Sequence, residues 1–285
     1  MSEFEKYKGD PNLNEKMIKI DGVPQDLGDL LTESIQLLRE HEPEDGYYGC
    51  FSGGKDSIAV REVARIAGVR VEWHYHATTI DPPEVVRFIR AQGDVTWDKP
   101  RHGNFFHRVV QKKQMPTRRC RWCCQEYKEI RPACRRSMLL GIRREESPRR
   151  AARWPTPVVH RYAGPRTAIV PLLEWPTEEL WDFIRCQQLK VPSLYAEGWH
   201  RLGCVGCPLS SEKNRLRELS RWPGFERNWK RACRKVWEAK TGCTQKNGRA
   251  WFGDAYFRRW EDFWHWWVHD VSLDDARTRP ASARL

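Results

Sequence analysis

Apolar residues recur at helical spacing from Leu27 to Arg39, at Leu27, Leu30, Leu31, Ile35, Leu37 and Leu38, and predict an amphipathic helix. Tyr47 to Phe51 is a short apolar run that fits a buried strand. Ile58 to Ala67 returns to helical spacing, with Ile58, Val60, Val63, Ala64 and Ala67 on one stripe and Gly68 placed to end it. Val69 to His76 alternates apolar and polar positions as a second strand would. Pro82 and Pro83 favour a helix starting near Glu84, because proline suits the first turn. Asp94 to Pro100 predicts a short strand and turn, Phe105 to Lys112 a helix, and Glu126 to Arg136 a helix bent or restarted at Pro132. Leu139 to Arg143 reads as a buried strand opening into a loop, and Ala168 to Leu173 as another strand. Leu180, Trp181, Phe183 and Ile184 belong to a helix with Thr177 as its expected N-cap and Glu178 and Glu179 favouring its dipole.

This order of strands and helices predicts an α/β fold, a mostly parallel sheet with helices on both faces. The texture changes towards the C-terminus, where eight of the 15 tryptophans fall at or after Trp222. Trp260, Trp264 and Trp267 are spaced for one helical face, with Trp266 offset. Such a stripe fits core packing or a subunit interface, with stacking on nucleic-acid bases as the alternative. The expected organisation is an N-terminal segment (1–27), a nucleotide-binding α/β domain carrying a cysteine cluster (28–210) and a basic, Trp-rich helical extension (211–285).

Charge narrows the partners. Fifty Lys and Arg against 38 Asp and Glu give a formal charge of +12 over 285 residues, and the excess is concentrated. Residues 118–161 hold 13 basic residues against four Glu and no Asp, and residues 213–235 hold nine against two. Basic tracts of this kind suit nucleic acid, nucleotide phosphates or sulfate. There is no apolar run long enough to span a bilayer and no signal peptide, so the expected location is cytoplasmic, with no membrane partner. Ten cysteines in such a chain suggest a reducing compartment and metal binding over a disulfide scaffold.

Ser52 to Ser57, reading Ser-Gly-Gly-Lys-Asp-Ser, is the most informative stretch. A glycine turn between a strand and a helix can aim backbone N–H groups at a phosphate. Gly53 and Gly54 permit close approach, Ser52 and Ser57 offer hydroxyls, and Lys55 offers positive charge. Asp56 fits a magnesium-bound nucleotide or an N-cap. Asp81 follows a predicted strand end, where open α/β sheets collect ligand groups, and is a candidate catalytic residue with helix capping as the alternative. His74 and His76 either act in catalysis or line one sheet face. Cys120, Cys123 and Cys124 form one thiol group, and Cys204 and Cys207 form another. Four such sulfurs suit an iron–sulfur cluster or zinc, and Cys204 with Cys207 also suits redox dithiol chemistry. Helical geometry puts Cys120 and Cys123 on a shared face, whereas Cys123 and Cys124 point about 100° apart.

Together these motifs resemble the ATP-pyrophosphatase, or adenine nucleotide alpha-hydrolase-like, superfamily, in its phosphoadenosine phosphosulfate reductase-like branch. The resemblance rests on Phe51 to Ser57, Trp122-Cys123-Cys124 with Lys128, Gly141 to Ser147, Pro171 to Trp175 through Trp181, Leu194-Tyr195 and Arg201 to Pro208. It implies nucleotide contacts from Ser52, Gly53, Gly54, Lys55, Asp56 and Ser57, with Arg143, Arg144 and Ser147 nearby. It also implies a [4Fe–4S] cluster on Cys123, Cys124, Cys204 and Cys207; the helical spacing keeps Cys120 as the alternate ligand. Family reductases use a C-terminal cysteine as nucleophile; the last cysteine here is Cys243. The expected function is an iron–sulfur enzyme that cleaves ATP to AMP and pyrophosphate, with Mg²⁺, to activate a substrate in sulfur transfer. Lys55, Asp56 and Asp81 would carry the chemistry, and the partners would include a nucleic-acid substrate or a thiol or sulfur-donor protein. The alternatives are a phosphoadenosine or adenosine phosphosulfate reductase releasing sulfite, and a non-catalytic nucleotide- or nucleic-acid-binding accessory protein. A homo-oligomer is left open.

Overall fold

Six strands form one sheet: β1 (Tyr47–Cys50), β2 (Val71–His76), β3 (Val95–Asp98), β4 (Met138–Leu139), β5 (Val158–Tyr162) and β6 (Arg166–Ile169), in the order β3-β2-β1-β4-β6-β5. The computed structural model describes residues 25–129, 136–162, 166–243, 257–273 and 275. Every pairing is parallel except β5 with β6, which is antiparallel. The helices are α1 (Gln25–Glu40), α2 (Lys55–Ala67), α3 (Pro83–Arg90), α4 (Phe105–Lys112), α5 (Trp122–Tyr127), α6 (Pro148–Arg153), α7 (Thr177–Cys186), α8 (Glu212–Arg221), α9 (Pro223–Lys240) and α10 (Trp260–Val268). Contacts divide the chain into two compact units, one from Met1–His76, Pro83–Asp98 and Arg131–Leu202, the other from Ala77–Pro82, Lys99–Ile130 and Gly203–Leu285.

The sheet and its helices make the first unit. β1 is buried at Tyr47, Tyr48 and Gly49, as a central parallel strand should be, because helices cover both faces of such sheets. Leu27, Leu31, Ile35 and Leu38 of α1 and Val60, Val63, Ala64 and Ala67 of α2 are all buried, and the two helices pack on each other. Gly68 ends α2 in the left-handed conformation at φ 75°, the cap that its residue type predicts. Trp175 closes this core: its indole donates to Ser34 Oγ at 3.0 Å, and Ser34 donates to the Pro171 carbonyl at 2.7 Å. β1 pairs with β2 on one side and β4 on the other, so the strand order reverses there. Open α/β sheets bind ligands outside the strand ends at such a point.

Several local expectations change. α2 begins at Lys55, three residues before the expected apolar start, because the glycine turn feeds straight into it. Thr177 is the first residue of α7, the cap position is Pro176, and no side chain caps the helix. β4 ends at Leu139, Leu140 N still donates to the Ile169 carbonyl at 3.0 Å, and Gly141 then backs onto α2. β5 and α6 have no counterpart in the predicted pattern. Of the helix expected over Glu126–Arg136, only its start coincides with α5; residues 130–135 lie outside the described residues.

The second unit is built on aromatic contact. α9 packs against α4, α8 and α10. Phe105 stacks on Trp122 at 5.9 Å and meets Trp229 edge-on at 5.3 Å, and Trp229 lies 4.6 Å from Trp267. The Trp267 indole donates to the Pro116 carbonyl at 2.7 Å. Trp264 and Trp267 are neighbours at 5.5 Å, as their spacing predicts, while the offset Trp266 joins Phe257 and Phe263 instead. Among the described residues no helix is long and apolar enough to cross a membrane.

A Cβ on Gly141 would stand 3.0 Å from both the Asp56 carbonyl carbon and the Ser57 amide nitrogen, which are backbone atoms at the start of α2. Gly141→Ala must push the loop after β4 away from α2. The expected cost is about 1–3 kcal/mol, read as a lower urea midpoint with an unchanged slope.

Candidate nucleotide site

The phosphate loop leaves β1 at Phe51 and turns at Gly53, whose φ of 69° is one that other residues rarely adopt. A side chain on Gly53 would also collide with Ile89, since its Cβ would lie 2.8 Å from Ile89 Cγ1. Gly54 is the N-cap of α2 and supplies no side chain, so the first-turn amides point outward without a side-chain acceptor of their own residue. Inside the turn the hydroxyls hold the backbone. Ser57 Oγ donates to the Gly54 carbonyl at 2.9 Å and accepts from Ser52 N at 3.2 Å, and the Ser52 hydroxyl lies 3.2 Å from it. Tyr195 closes the far side, its hydroxyl accepting from Lys55 N at 2.8 Å. A glycine turn at a helix N-terminus with a lysine beside it is a ready anion site.

The charged groups are arranged with little freedom. Lys55 Nζ donates to Asp56 Oδ2 at 2.8 Å, and Arg143 Nε donates to Asp56 Oδ1 at 2.6 Å. Arg143 is only 2% exposed, and its Nη1 faces the Trp175 carbonyl, Thr177 Oγ1 and Glu145, at 3.0 to 3.1 Å. Thr177 in turn donates to Glu145 at 2.7 Å. Burial alone would raise the Asp56 carboxyl, but the charges and hydrogen bonds of Lys55 and Arg143 outweigh it and hold its pKa below the ordinary aspartate value. Asp56 therefore serves as the anionic post that fixes two cations beside the loop.

Of the arginines expected near the nucleotide, Arg143 meets the loop and Arg144 does not. Arg144 pairs with the exposed Glu174 and reaches the carbonyls of Ala151 and Pro155. Ser147 caps the short helix Arg144–Glu146 and accepts from Ala151 N at 3.0 Å. His74 and His76 do more than line a face. Asp98 Oδ2 lies 3.1 Å from His74 Nδ1 and accepts from the Tyr48 hydroxyl at 2.8 Å, while that hydroxyl is 2.8 Å from His76 Nε2. His74 Nε2 is buried without a hydrogen bond, although Glu72 Oε1 is 3.3 Å away in poor geometry. The sequence marks Tyr195 within the Leu194-Tyr195 motif and Thr177 as a helix cap, but their contacts with Lys55 and Arg143 come only from the fold, because a hydroxyl carries no pattern of its own until the chain brings it to a partner.

In the second unit the cysteines converge with cations. Cys123 and Cys124 start α5, whereas Cys120 precedes that helix, so the helical spacing that would pair Cys120 with Cys123 does not exist. Cys120 accepts instead from Gln114 Nε2 at 3.3 Å. Cys204 and Cys207 flank a turn held by Cys207 N donating to the Cys204 carbonyl at 3.2 Å, with Gly206 at φ 73°. Gly206 N donates to Glu218 at 2.8 Å, and a Cβ there would lie 2.5 Å from the Trp229 indole nitrogen. Val205 N donates to the Ile80 carbonyl at 2.8 Å, which brings Asp81 to this loop, and Lys128 Nζ lies 3.9 Å from Asp81 and hydrogen-bonds Cys204. Burial pushes the Cys204 thiol up to about 12. The Cys123 thiol hydrogen-bonds Cys124 and keeps its proton; that bond, aided by Arg121 at 3.4 Å, outweighs burial and brings Cys124 down to about 6. Cys243 is exposed just beyond α9 and donates to the Ala239 carbonyl at 3.5 Å.

The phosphoadenosine phosphosulfate reductase domain family matches residues 47–210, more than half of the sequence. The chain belongs to this family. With it comes membership of the adenine nucleotide alpha-hydrolase-like superfamily. An uncharacterized 37.8 kDa protein of Escherichia phage 186 is 30% identical over 144 residues, 44% of this chain and 41% of that one. An adenosine 5'-phosphosulfate reductase of Shouchella clausii is 30% identical over 108 residues, 36% of this chain and 43% of that one. The chain thus spans less than half the length of these curated relatives. A solved phosphoadenylyl-sulfate reductase from Candida auris aligns at 15% identity and a TM-score of 0.47, over 64% of this chain and 96% of that one.

These findings correct the expected cofactors. Among the described residues no group of three or more His, Cys, Asp or Glu side chains is arranged to hold a metal ion. The thiols are turned to each other and to cations: Cys123 to Cys124, Cys124 to Arg121, Cys204 to Lys128. The [4Fe–4S] cluster on Cys123, Cys124, Cys204 and Cys207, with Cys120 as alternate, does not fit this donor arrangement, and neither does Mg²⁺ at Asp56, whose two oxygens hold Lys55 and Arg143. The iron–sulfur, ATP-cleaving reading falls with them, since the family and the named relatives of known activity are sulfonucleotide reductases.

Two predictions follow from the charge arrangement. Arg143→Met leaves Asp56 with Lys55 alone and should cost about 3 kcal/mol of unfolding free energy at neutral pH. Asp56 is depressed in the folded state, so its contribution is present above the ordinary aspartate pKa of about 4 and lost as pH falls through the folded value. Urea unfolding from pH 2 to 7 should therefore show a shallower acid slope in the variant. Secondly, iodoacetamide should alkylate Cys124 with a midpoint near pH 6, rate rising with pH. Arg121→Ala should move that midpoint upward, as mass spectrometry of the labelled peptide would report.

Proposed function

We propose that the chain is an adenine-nucleotide-binding enzyme of the sulfonucleotide-reductase type, taking adenosine phosphosulfate or its 3'-phosphorylated form at the phosphate loop. The observation that carries this reading is the anchored loop at the point where strand order reverses, with the N-terminus of α2 and Lys55 beside it. The family membership supplies the substrate class.

In the reaction a thiolate attacks the sulfur of the bound sulfonucleotide, and the sulfur–oxygen bond to phosphate breaks. The adenosine phosphate leaves with the bonding pair, and the loop amides and Lys55 stabilise the charge that it gains. A second thiolate then attacks the sulfonated thiol sulfur; a disulfide forms and sulfite departs. Both electrons come from a dithiol reductant, which ends as the disulfide. The loop binds and orients the nucleotide; Arg143 acts on it only by holding Asp56.

Protein supplied with each sulfonucleotide and a reduced dithiol should release sulfite and adenosine phosphate in equal amounts. Lys55→Ala should lower kcat/KM by about two orders of magnitude while the far-ultraviolet circular dichroism stays unchanged. Pyrophosphate and AMP from ATP, with no sulfite from either sulfonucleotide, would overturn the proposal.

A further inference from the structure

The phosphate loop, the cysteines and the aromatic core leave one feature of the sequence unused, the positive charge of residues 213–235. α9 carries six basic residues against Glu226 and Glu238. Its apolar side, Trp229, Ala232, Cys233 and Val236, is buried. Helical spacing puts Arg227, Arg231 and Arg234 on the opposite side, and all three are exposed, with Lys235 exposed at the margin. α8 repeats the arrangement: Arg215 and Leu219 are buried, while Lys213, Arg217 and Arg221 follow one another at intervals of four along the exposed side.

On α9 the nearby carboxylates leave part of this charge uncompensated. Glu226 takes Lys230 at 2.7 Å and Glu238 takes Arg234 at 2.9 Å. Glu218 is turned inward to Gly206. Arg227 and Lys235 form no ion pair among the described residues, and the polar contact of Arg231 is the neutral Asn228 amide at 3.4 Å. Beside the row, Lys230 Nζ sits 5.8 Å over the half-buried Trp264 ring.

We propose that the outward faces of α8 and α9 bind the phosphate backbone of a nucleic acid. Positions four apart advance about 6 Å along a helix, so each row meets a line of charges, as a phosphate chain provides. Arginine dominates, and its planar fork matches phosphate oxygens two at a time. A lipid surface is disfavoured by the same geometry, because a helix lying in a membrane interface needs an apolar face to insert. The apolar sides of α8 and α9 are already buried; the one large hydrophobic residue exposed on either helix is Leu216, at 38%. This surface does not depend on the sulfonucleotide reading.

The test is fluorescence anisotropy of the full chain with a short labelled single strand and the matching duplex, across a salt series. Binding should weaken linearly on a log–log plot. Arg227→Ala/Arg231→Ala/Lys235→Ala together should reduce the slope by about 2 to 3 and weaken low-salt affinity by about tenfold or more. Lys213→Ala/Arg217→Ala should act in the same direction on the second helix. Sulfonucleotide binding and the melting temperature, measured on both variants, should stay as in the parent and thereby exclude misfolding. Salt-insensitive binding, slopes unchanged in both variants, or tighter binding to vesicles of anionic lipid than to either nucleic acid would each overturn the proposal.

Discussion

The buried pair of Arg143 and Asp56 holds the nucleotide end of the first unit together. Asp56 sits in the first turn of α2, and Arg143 comes from the loop after β4, so one ion pair ties the two segments that diverge where the strand order reverses. Removing the partner of a buried guanidinium is costly, because it leaves a charge unpaired. Here Nε meets Asp56 and Nη1 meets Glu145, Thr177 and the Trp175 carbonyl, which adds the start of α7 to the same knot. Lys55 is then held by the other oxygen of Asp56, at the rim of the loop. Without this knot, a turn containing two consecutive glycines would have many conformations to lose on binding an anion.

Glycines enable the same closeness elsewhere. Gly141 lets the loop after β4 touch the backbone of α2, and Gly206 lets the turn between Cys204 and Cys207 lie against Trp229. In the second unit the aromatic side chains take the part that the sheet has in the first. Phe105, Trp122, Trp229 and Trp267 form a continuous contact, and Arg215 lies fully buried beneath it with its Nε on the Val268 carbonyl and Asp270 2.7 Å from Nη2. Asp270 also accepts from Arg118, which binds the Ser210 carbonyl, so the segments next to both thiol groups are fastened to the end of α10.

The thiols show how strongly setting governs chemistry. Cys123 and Cys124 are adjacent in sequence and identical in type, yet their pKa values are driven apart, Cys123 up and Cys124 down, because the Cys123 thiol donates to Cys124 and the Arg121 guanidinium bonds Cys124 besides. Cys204 stays a thiol although Lys128 is beside it, because burial outweighs that single cation. The family resemblance implies four equivalent metal ligands; the partners of each sulfur separate them.

The sequence by itself determined the parallel α/β architecture, the strand–turn–helix around Ser52 to Ser57, the end of α2 at Gly68 and the helix from Phe105 to Lys112. These rest on hydrophobic periodicity and on what glycine and proline permit within a few residues, and such local preferences are present in any one-dimensional reading. Tertiary structure alone decided that Arg143 rather than Arg144 meets the loop, that Asp81 lies with Lys128 and Cys204, and that Tyr195 closes on Lys55. It also fixed the start of α5 beyond Cys120, which removed a ligand pairing that helical spacing favoured. Each of these depends on residues brought together from distant parts of the chain. Hydrogen-bond partners and charge states follow from that meeting, whereas residue type and spacing set only which meetings are chemically allowed.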